Sequence, residues 1–588
     1  MNKTWFLPAL AFALFACNDG ADPAEKDNYE SVTRNYLSVN ILTPKASTRD
    51  DVVVNEDDYQ DGNDSENNIN SVRFFFFDNE GNAALVRKQA GATDGEDAYT
   101  SYIDWIPTAS ETTSGNPNQT VEKILTATLG INQPANSNPP QLVLAVLNPP
   151  QTVLNLQGNP NLSTLLNEVK DYKTGLTDNN FVITNSVYVN SDSKVVNATP
   201  INENNFQPTE DEAADPKNQL NIFVERVLAR LDLSIGMTPA PGTTGNIYKL
   251  DKEYSVDGSE TPEPIYVKLL GWNVTETTTT SRLVKTINPG WPSTLFSTAG
   301  QPWNISDLNR SFWAVNPETV AYQRGTFNDP EEGGNDNPNT ANALQIPATD
   351  SYTTVYLQEN ANPYSEDLTA AAPTTPSKII LAAQLVKQDG TAQPLVRWAN
   401  RYYTKQGALN AVTNSLNLYQ IVNTAEGTGY KKITPDDLKF VSANDLYGEK
   451  LPEDVANYYV YLQLTEDAEK ITWYYGNNES AQVYDTPKAN NYILNIVNNL
   501  MYWNQGYTYY YLDIKHLGDE GTPGYVGVVR NHLYKANVNS IAGLGTPVFY
   551  PDDVIYPEMP GYDDSVLSAV INILQWRVVT KDYDFLWP

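Results

Sequence analysis

Short runs of apolar residues, separated by polar stretches rich in glycine, proline and asparagine, recur along most of the chain. In the first run, Leu37, Val39 and Ile41 alternate with polar neighbours, as in a strand with one buried face. Residues 72–77 and 141–147 are nearly continuous apolar runs closed by turn residues. Runs of that kind are typical of strands buried on both faces.

The same pattern continues towards the C-terminus and predicts a mainly β protein. Further strands are expected at residues 181–190, 220–233 (which also fits a short helix), 265–274, 379–386, 458–464, 471–475 and 507–514. Helical periodicity is local, at residues 163–172 and within 395–422. Because strands dominate and turn residues are frequent, with 33 Gly and 38 Pro, we expect two β-sandwich domains with long loops and a few short helices.

Two polar stretches interrupt the pattern. Residues 207–217 are rich in proline and acidic residues, which predicts a boundary between an N-terminal domain at 50–216 and a C-terminal domain at 217–550. Residues 55–70 are acidic and rich in asparagine, with almost no apolar side chains. Such a composition predicts a mobile loop.

The N-terminus has the features of an export signal, residues 1–17. A basic start is followed by an apolar run over residues 4–16, which is too short to span a bilayer. The run ends at Cys17, the single cysteine of the chain. The pair Ala16-Cys17 resembles a bacterial lipobox, which implies cleavage between the two residues and lipid attachment at Cys17. The alternative is an ordinary signal peptide with a chance cysteine.

The C-terminal residues 551–588 predict a linker and a terminal strand. Residues 551–565 are polar and proline-spaced, so in polyproline conformation they would span roughly 45 Å. Residues 566–579 are then strongly apolar. In an extended chain one side of this segment carries Val570, Leu574, Trp576 and Val578. Such a strand suits pairing with another molecule and equally suits a return to its own sandwich.

Composition narrows the range of functions. With 38 Lys and Arg against 71 Asp and Glu, the net charge is −33, which disfavours nucleic acid and anionic membranes as partners. One cysteine and two histidines exclude an intrachain disulfide, a cysteine-only metal cluster and a three-histidine metal site. We expect His516 and His532 to be structural.

Motifs for catalysis and cofactor binding were sought and not found in the sequence. There is no G-x-S-x-G, H-E-x-x-H or G-x-x-x-x-G-K-[ST] motif. The positions of Asp57, Asp61 and Gly62 fit part of a calcium loop, but Tyr59 and Asn68 stand where oxygen ligands and a bidentate Glu are needed. We therefore expect no enzyme activity, catalytic residue, cofactor or metal.

Several segments, in the same order, resemble the fimbrillins of type V pili, the surface fibres of Bacteroidetes. Within that family the chain is most similar to the major, shaft-forming subunit of the short fimbriae. The matching segments are residues 16–17, 37–49, 224–230, 310–314, 379–385, 527–534, 543–547 and 576–578. Phe15 before the lipobox cysteine, and the acidic Asp50-Asp51, depart from the family pattern.

The resemblance implies transthyretin-like sandwiches and a route of assembly. The subunit would pass through the periplasm as a lipoprotein, palmitate being among the expected acyl chains, to the outer membrane. An arginine-specific protease would then cut between Arg49 and Asp50, with Arg34 and Lys45 as alternative sites. Removal of residues 18–49 would open a groove where Leu37, Val39 and Ile41 had been. The C-terminal strand of an identical subunit would fill it and build a surface fimbrium that supports adhesion.

Two other functions stay open at the level of sequence. The chain fits an anchor or tip subunit of a pilus, and the shaft subunit would itself have anchor and tip subunits as partners. It also fits a monomeric outer-membrane lipoprotein that binds glycan through exposed aromatic side chains, given 37 Tyr and 11 Trp. A glycan-binding protein has no use for a detachable first strand, whereas a pilin needs one.

Overall fold

The computed structural model describes a large part of the chain, in segments. These are residues 33–44, 48–49, 52–53, 59–88, 99–107, 121–134, 137–156, 158–173, 176, 180–189, 194–243, 245–287, 314–317, 322–328, 346, 351–360, 376–425, 427–448, 450–452, 455–478, 480–516, 527–555, 557 and 567–577.

Strands are the main element of the described segments, which confirms the predicted mainly β class. In the first part they are β1 (Thr33–Pro44), β2 (Thr48–Arg49), β3 (Val52–Val53), β4 (Tyr59–Asp61), β5 (Val72–Phe77), β6 (Arg87–Lys88), β7 (Tyr99–Thr100), β8 (Tyr102–Trp105), β9 (Val121–Gln133), β10 (Leu142–Leu147), β11 (Val169–Lys170), β12 (Ile183–Asn185), β13 (Tyr188–Val189), β14 (Val195–Val196), β15 (Thr199–Pro200), β16 (Phe206–Gln207) and β17 (Leu220–Arg226). The second part holds β18 (Ala229–Ile235), β19 (Ile247–Tyr254), β20 (Glu263–Thr275), β21 (Thr277–Thr278), β22 (Ser281–Arg282), β23 (Tyr322–Gln323), β24 (Tyr352–Leu357), β25 (Lys378–Val386), β26 (Leu395–Trp398), β27 (Arg401–Tyr403), β28 (Leu418–Thr424), β29 (Gly427–Lys432), β30 (Leu438–Ser442), β31 (Tyr459–Leu464), β32 (Trp473–Tyr475), β33 (Gln482–Tyr484), β34 (Leu500–Trp503), β35 (Tyr507–Asp513), β36 (His532–Ile541), β37 (Thr546–Pro547) and β38 (Leu567–Arg577).

Helices are short, as the sequence predicts. They are α1 (Asp64–Asn67), α2 (Gln151–Leu154), α3 (Leu162–Leu166), α4 (Glu210–Ala213), α5 (Lys405–Ser415), α6 (Ala443–Tyr447) and α7 (Thr486–Ile496), with 3-10 turns at Glu203–Asn205, Pro435–Asp437, Ala468–Lys470 and Asn504–Gly506. Both predicted helical regions contain one, α3 and α5, whereas α7 has no counterpart in the sequence prediction. No helix of the described segments is long and apolar enough to cross a membrane.

The N-terminal domain is built on one nine-stranded sheet. Its strand order is β16-β1-β17-β12-β10-β5-β8, with β15 paired to β10 and β9 paired to β1. All six residues of β5 are buried, because one face of the sheet packs on Phe74 and Phe76 and the other on Phe75 and Phe77. The continuous apolar run predicted as a central strand is therefore explained by burial on both faces.

The C-terminal domain is a sandwich of two five-stranded sheets. One has the order β24-β18-β36-β38-β4 and the other β19-β20-β25-β35-β37. Leu231 and Tyr534 of the first sheet share a core with Leu381 and Tyr510 of the second. Near the end of this sandwich Gly545 has φ +73°, and a Cβ there would lie 2.9 Å from the carbonyl oxygen of Tyr509. Only glycine fits that position without displacing β35.

The chain passes from one domain to the other between β17 and β18. β17 pairs with β1 and β12 of the N-terminal sheet, and β18 pairs with β24 and β36 of the sandwich. The boundary between the two domains thus falls between Arg226 and Ala229, after the domain boundary predicted at residue 216. The sequence predicts the boundary in the polar stretch before β17, but β17 still belongs to the N-terminal sheet.

A further unit is inserted into the sandwich between β25 and β35, which pair side by side. It has two sheets of its own, β27-β26-β34-β31-β30 and β29-β28-β32-β33. Helices α5 and α7 share with these sheets a separate core that includes Val412, Trp473 and Ile493. The predicted C-terminal domain at 217–550 therefore contains a second hydrophobic core.

The acidic stretch predicted as a mobile loop has fixed structure over residues 59–70. It forms β4 and α1, and the carboxylate of Glu66 in α1 is fully buried. Prediction of a loop here is wrong because polar composition does not show that these side chains are paired inside the protein. Residues 55–58, including Asp57, lie outside the described segments.

Candidate functional site

The first strand lies inside the N-terminal sheet rather than at its edge. β1 pairs along its whole length with antiparallel β9, from Thr33 opposite Gln133 to Pro44 opposite Val121. On its other side it pairs with parallel β17 and antiparallel β16. Its backbone N–H and C=O groups are therefore used on both sides, and its removal would expose two rows of unpaired groups.

One face of β1 is part of the hydrophobic core. Leu37, Val39 and Ile41 are 0% exposed and pack with residues of β5, β9 and β10. The structure thus brings together the three residues predicted for the displaced strand. Burial of one such side chain stabilises the fold by about 1.5–3 kcal/mol, so the three contribute roughly 5–9 kcal/mol.

The opposite face of β1 carries Ser38 and Asn40, which are 0% and 8% exposed. The Asn40 side-chain amide donates to Gln219 Oε1 at 2.9 Å and to Asn221 Oδ1 at 3.1 Å. Asn40 Oδ1 accepts a hydrogen bond from Thr126 Oγ1 at 3.1 Å. We call Gln219, Asn221 and Thr126 around Asn40 the polar station; Asn221 is exposed, and Gln219 and Thr126 are half-buried. A strand that replaces β1 in the groove between β9 and β17 (the seat of β1) keeps all three hydrogen bonds only if it offers both a donor and an acceptor at the place of Asn40.

The predicted cleavage site follows β1 within a few residues. Arg49 is the last residue of β2, which pairs antiparallel with β3 so that Arg49 lies opposite Val52. Arg34, one of the alternative sites, lies in β1 and is paired opposite Asn132. Asp50, Lys45, Ala16 and Cys17 lie outside the described segments, so the cleavage sites and the lipid attachment stay predictions.

The C-terminal strand pairs within its own chain in this structure. β38 runs antiparallel to β36, with Val570 opposite Asn537 and Leu574 opposite Leu533. Its other edge is covered by the three-residue strand β4, with Trp576 opposite Gln60. Of the predicted donor residues, Val578 lies outside the described segments. In this single chain, β38 thus takes the arrangement in which the strand returns to its own sandwich.

A buried ionic network fixes α1 to the C-terminal domain. Arg230 NH1 lies 3.1 Å from both carboxylate oxygens of Glu66, and its other nitrogens bind Asp232 at 2.8 and 2.9 Å. The Tyr356 hydroxyl also donates to Glu66. Arg226 donates to the Glu66 carbonyl oxygen and to the side chain of Asn67. Since α1 directly follows β4, the network also holds the strand that covers β38.

A second buried network joins the two domains. Glu225 of β17 binds Lys285 at 3.1 Å, and Arg530 binds Glu359 at 2.9 Å. Burial raises the pKa of Glu225, and the nearby Lys285 ammonium opposes that shift. Arg530 also donates to the carbonyl oxygens of Arg282 and Leu283. The Glu225–Lys285 pair links the N-terminal sheet to the C-terminal domain, whereas the bonds of Arg530 lie within the C-terminal domain.

The sequence prediction did not include these charged residues as a site. The sequence does show charged residues within the otherwise apolar segments of β17 and β18. Because a charge in a buried strand needs a partner, these residues indicate buried ion pairs. The histidines lie buried near this junction, with ring centroids 5.0 Å apart, and His532 Nδ1 is 2.8 Å from the Arg530 carbonyl oxygen. Among the described residues, no cluster of three or more His, Cys, Asp or Glu could hold a metal ion.

One family model matches the chain. Residues 501–582, which include β35, β36 and β38, match the model described as major fimbrial subunit protein type IV, fimbrillin, C-terminal. The match confirms the resemblance to Bacteroidetes fimbrillins in this part of the chain. It does not distinguish a shaft subunit from the other subunits. No curated protein matches the sequence.

Solved structures with similarity to the chain include three fimbrial proteins of Porphyromonas gingivalis. A fimbrilin of strain W83 is 12% identical, covers 93% of this chain and 99% of its own, and has a TM-score of 0.36. The tip fimbrial protein is 12% identical, with 92% and 100% coverage and a TM-score of 0.30. The fimbrial anchor protein is 10% identical, with 59% and 78% coverage and a TM-score of 0.18.

Proposed function

We propose that this fimbrillin-type chain is a structural subunit of a cell-surface fimbria, joined head to tail by exchange of a terminal strand. The observation that carries the proposal is the position of β1. It comes before the predicted cleavage site, and it lies within the sheet with both edges paired and its apolar side chains in the core. The fimbrillin match at residues 501–582 supports the same assignment.

Export as a lipoprotein accounts for the N-terminal residues. Cleavage between Ala16 and Cys17 and acylation of Cys17 would hold the chain at the outer membrane until it is processed. Several acyl chains anchor a folded domain firmly, at about 0.8 kcal/mol per buried CH₂. A cut between Arg49 and Asp50 separates the lipid and β1 from the rest of the chain. One cleavage thus controls both release from the membrane and assembly.

Removal of β1 leaves a groove in the N-terminal sheet that another strand must fill. The three core residues of β1 contribute roughly 5–9 kcal/mol, which is comparable to the whole stability of a typical domain, about 5–15 kcal/mol. The open edges of β9 and β17 are also templates for another strand. A strand from a second molecule restores the backbone pairing and the core together.

The donor in this proposal is β38 of a neighbouring subunit. To reach another molecule it must leave β36 and the short strand β4. The predicted linker is wrong for residues 551–555, because Ile555 is buried and its N–H donates to the carbonyl oxygen of Gly325 at 3.0 Å. Residues 556–566, which include Pro557 and Pro560, supply the length for an arm. Because donor and acceptor sites are different surfaces, the contact is heterologous and continues into a filament.

The role of a shaft subunit follows from having both an acceptor and a donor. Identical subunits are its main partners, with anchor and tip subunits at the ends of the fibre and an arginine-specific protease as its processing enzyme. The completed fimbrium lies on the cell surface and supports adhesion. An anchor would not need the cleavage, and a tip would not need the donor strand.

Limited proteolysis tests the proposal on a chain without the signal segment and the lipid-bearing cysteine, residues 18–588. After treatment with a trypsin-like protease we expect a new N-terminus at Asp50 and a ladder of oligomers on mildly denaturing gels. The ladder disappears when residues 566–588 are deleted, whereas the cut at Arg49 still occurs. A stable monomer after clean removal of residues 18–49 would reject strand exchange, and it would favour the glycan-binding lipoprotein.

A further inference from the structure

The seat of β1 sets requirements on both faces of any strand that replaces it. On one face it needs apolar side chains at the places of Leu37, Val39 and Ile41, which are fully buried. On the other it needs a side chain that both donates and accepts hydrogen bonds at the place of Asn40. Asparagine meets that need, because its amide group donates to Gln219 and Asn221 while its oxygen accepts from Thr126.

The C-terminal strand β38 contains a four-residue sequence that is nearly identical to the part of β1 around Asn40. Residues 39–42 of β1 read Val-Asn-Ile-Leu, and residues 571–574 of β38 read Ile-Asn-Ile-Leu. The only change is the addition of one methylene at the first position. Asn572 is the one asparagine of β38, as Asn40 is the one asparagine in the buried part of β1, residues 37–42.

We infer that β38 of a neighbouring subunit enters the seat in the direction of β1, with Asn572 in the place of Asn40. The inference rests on the proposed strand exchange and gives it a register. Ala569, Ile571 and Ile573 then fill the core positions of β1. Leu574 takes the place of Leu42, which is 4% exposed.

Other placements meet specific obstacles. If the strand ran in the opposite direction with Asn572 at the same station, Gln575 would fall in the fully buried place of Leu37. A slip of one residue would turn Asn572 into the apolar core. A slip of two that moves Leu574 to the station would leave Gln219 and Asn221 facing an aliphatic side chain. Asn572 is therefore the residue that fixes register, as a single buried asparagine does in some coiled coils.

This register determines which side of the donor meets the core. The sequence prediction named Val570, Leu574, Trp576 and Val578 as donor residues on one side of the strand and left open which side docks. With Asn572 at the polar station, Val570 and Leu574 lie on its side of the strand, because side chains alternate. The core is then filled by the smaller set of Ala569, Ile571 and Ile573.

Disulfide trapping reads the register directly. A chain of residues 18–588 lacks Cys17, the single cysteine of the sequence, so the introduced cysteine pairs are the only ones present. Ser38 lies opposite Thr128, Tyr36 opposite Gly130 and Leu42 opposite Lys123. In the inferred register Val570 takes the place of Ser38. Val570→Cys combined with Thr128→Cys is therefore expected to give a covalent ladder after cleavage at Arg49, since facing strand residues lie within disulfide reach.

Two control cysteine pairs detect the other two placements of the donor strand, slipped by two residues or reversed. Val570→Cys with Gly130→Cys would link only after a slip of two residues, and Gly130 has open space for a side chain. Val570→Cys with Lys123→Cys would link only if the strand were reversed. Neither pair is expected to give a covalent ladder, and no pair links before cleavage. A ladder from either control pair, without one from Thr128→Cys, overturns the inferred register.

Substitution of Asn572 tests its role without cysteines. Asn572→Leu is expected to weaken assembly by about tenfold, because the three hydrogen bonds made at the place of Asn40 are lost. Ser568→Ala in the same strand is the control and assembles like the parent. Equal assembly by Asn572→Leu would contradict the inference. Failure of the parent chain to form any ladder would instead reject strand exchange itself, so the two failures are distinguishable.

Discussion

Replacing Arg49 with alanine is expected to leave the chain monomeric under conditions in which the parent assembles completely. Without the cut, β1 keeps its pairing with β9 and β17, and no seat opens for a second molecule. The expected effect is large because the seat is either occupied or free. Gel filtration after protease treatment measures it, with N-terminal sequencing to locate the cut.

Two variants serve as controls for Arg49→Ala. Arg34→Ala removes a basic residue that is held in β1, and Lys45→Ala removes the other basic residue near the site. Both are expected to assemble like the parent. Unchanged assembly by Arg49→Ala would contradict the assigned bond, and loss of assembly in Lys45→Ala alone would move the site to that residue.

Arg230→Ala is expected to cause the largest loss of stability. The Arg230 guanidinium binds both Glu66 and Asp232. The side chain of Arg230 is 4% exposed, that of Glu66 0% and that of Asp232 3%. Its removal leaves two buried carboxylates without their cation, and breaking a buried pair costs about 3–5 kcal/mol. Urea unfolding at neutral pH measures the change. A loss below about 1 kcal/mol would contradict the role given to this network.

The pH dependence of Arg230→Ala gives a second signature. Burial raises the pKa of Asp232, and the Arg230 guanidinium opposes that shift, so its removal raises the folded-state pKa of this carboxyl further above the unfolded value. Folding then favours the protonated form of Asp232, so the deficit is greatest at neutral pH and shrinks as the pH falls. Lys217→Ala is the control: its exposed pair with Asp215 is expected to contribute no measurable stability.

Local patterns predicted the individual strands well. β5, β10, β20, β25 and β35 fall where apolar runs stand in the sequence, because burial of those runs decides their conformation. The alternation at Leu37, Val39 and Ile41 also identified which face of β1 is buried. These features depend on neighbours in the sequence, and they can be derived from it.

Features that depend on distant partners were not predictable in the same way. The inserted unit exists because β25, which ends at Val386, pairs with β35, which begins at Tyr507. The segment with Glu66 looks like an acidic loop until Arg230, far along the chain, is placed beside it. Composition likewise left open whether β38 pairs within its chain, and that choice depends on a strand edge offered by β36.

The repeat of β1 residues in β38 was visible in the sequence, but its meaning was not. An asparagine inside an apolar strand has no obvious use until its neighbours are known. The contacts of Asn40 with Gln219, Asn221 and Thr126 supply that use. They explain why a replacement strand needs the same residue at the same place.

Insertion of β38 from one molecule into the seat of β1 in another is tested most directly by mixing two variants, one able only to donate and one able only to accept. The donor carries Arg49→Ala, so its seat stays filled. The acceptor lacks residues 567–588 and is cut at Arg49 in the presence of the donor. The account predicts a 1:1 dimer by light scattering and nothing larger. No dimer, or assembly of either variant alone, would contradict it.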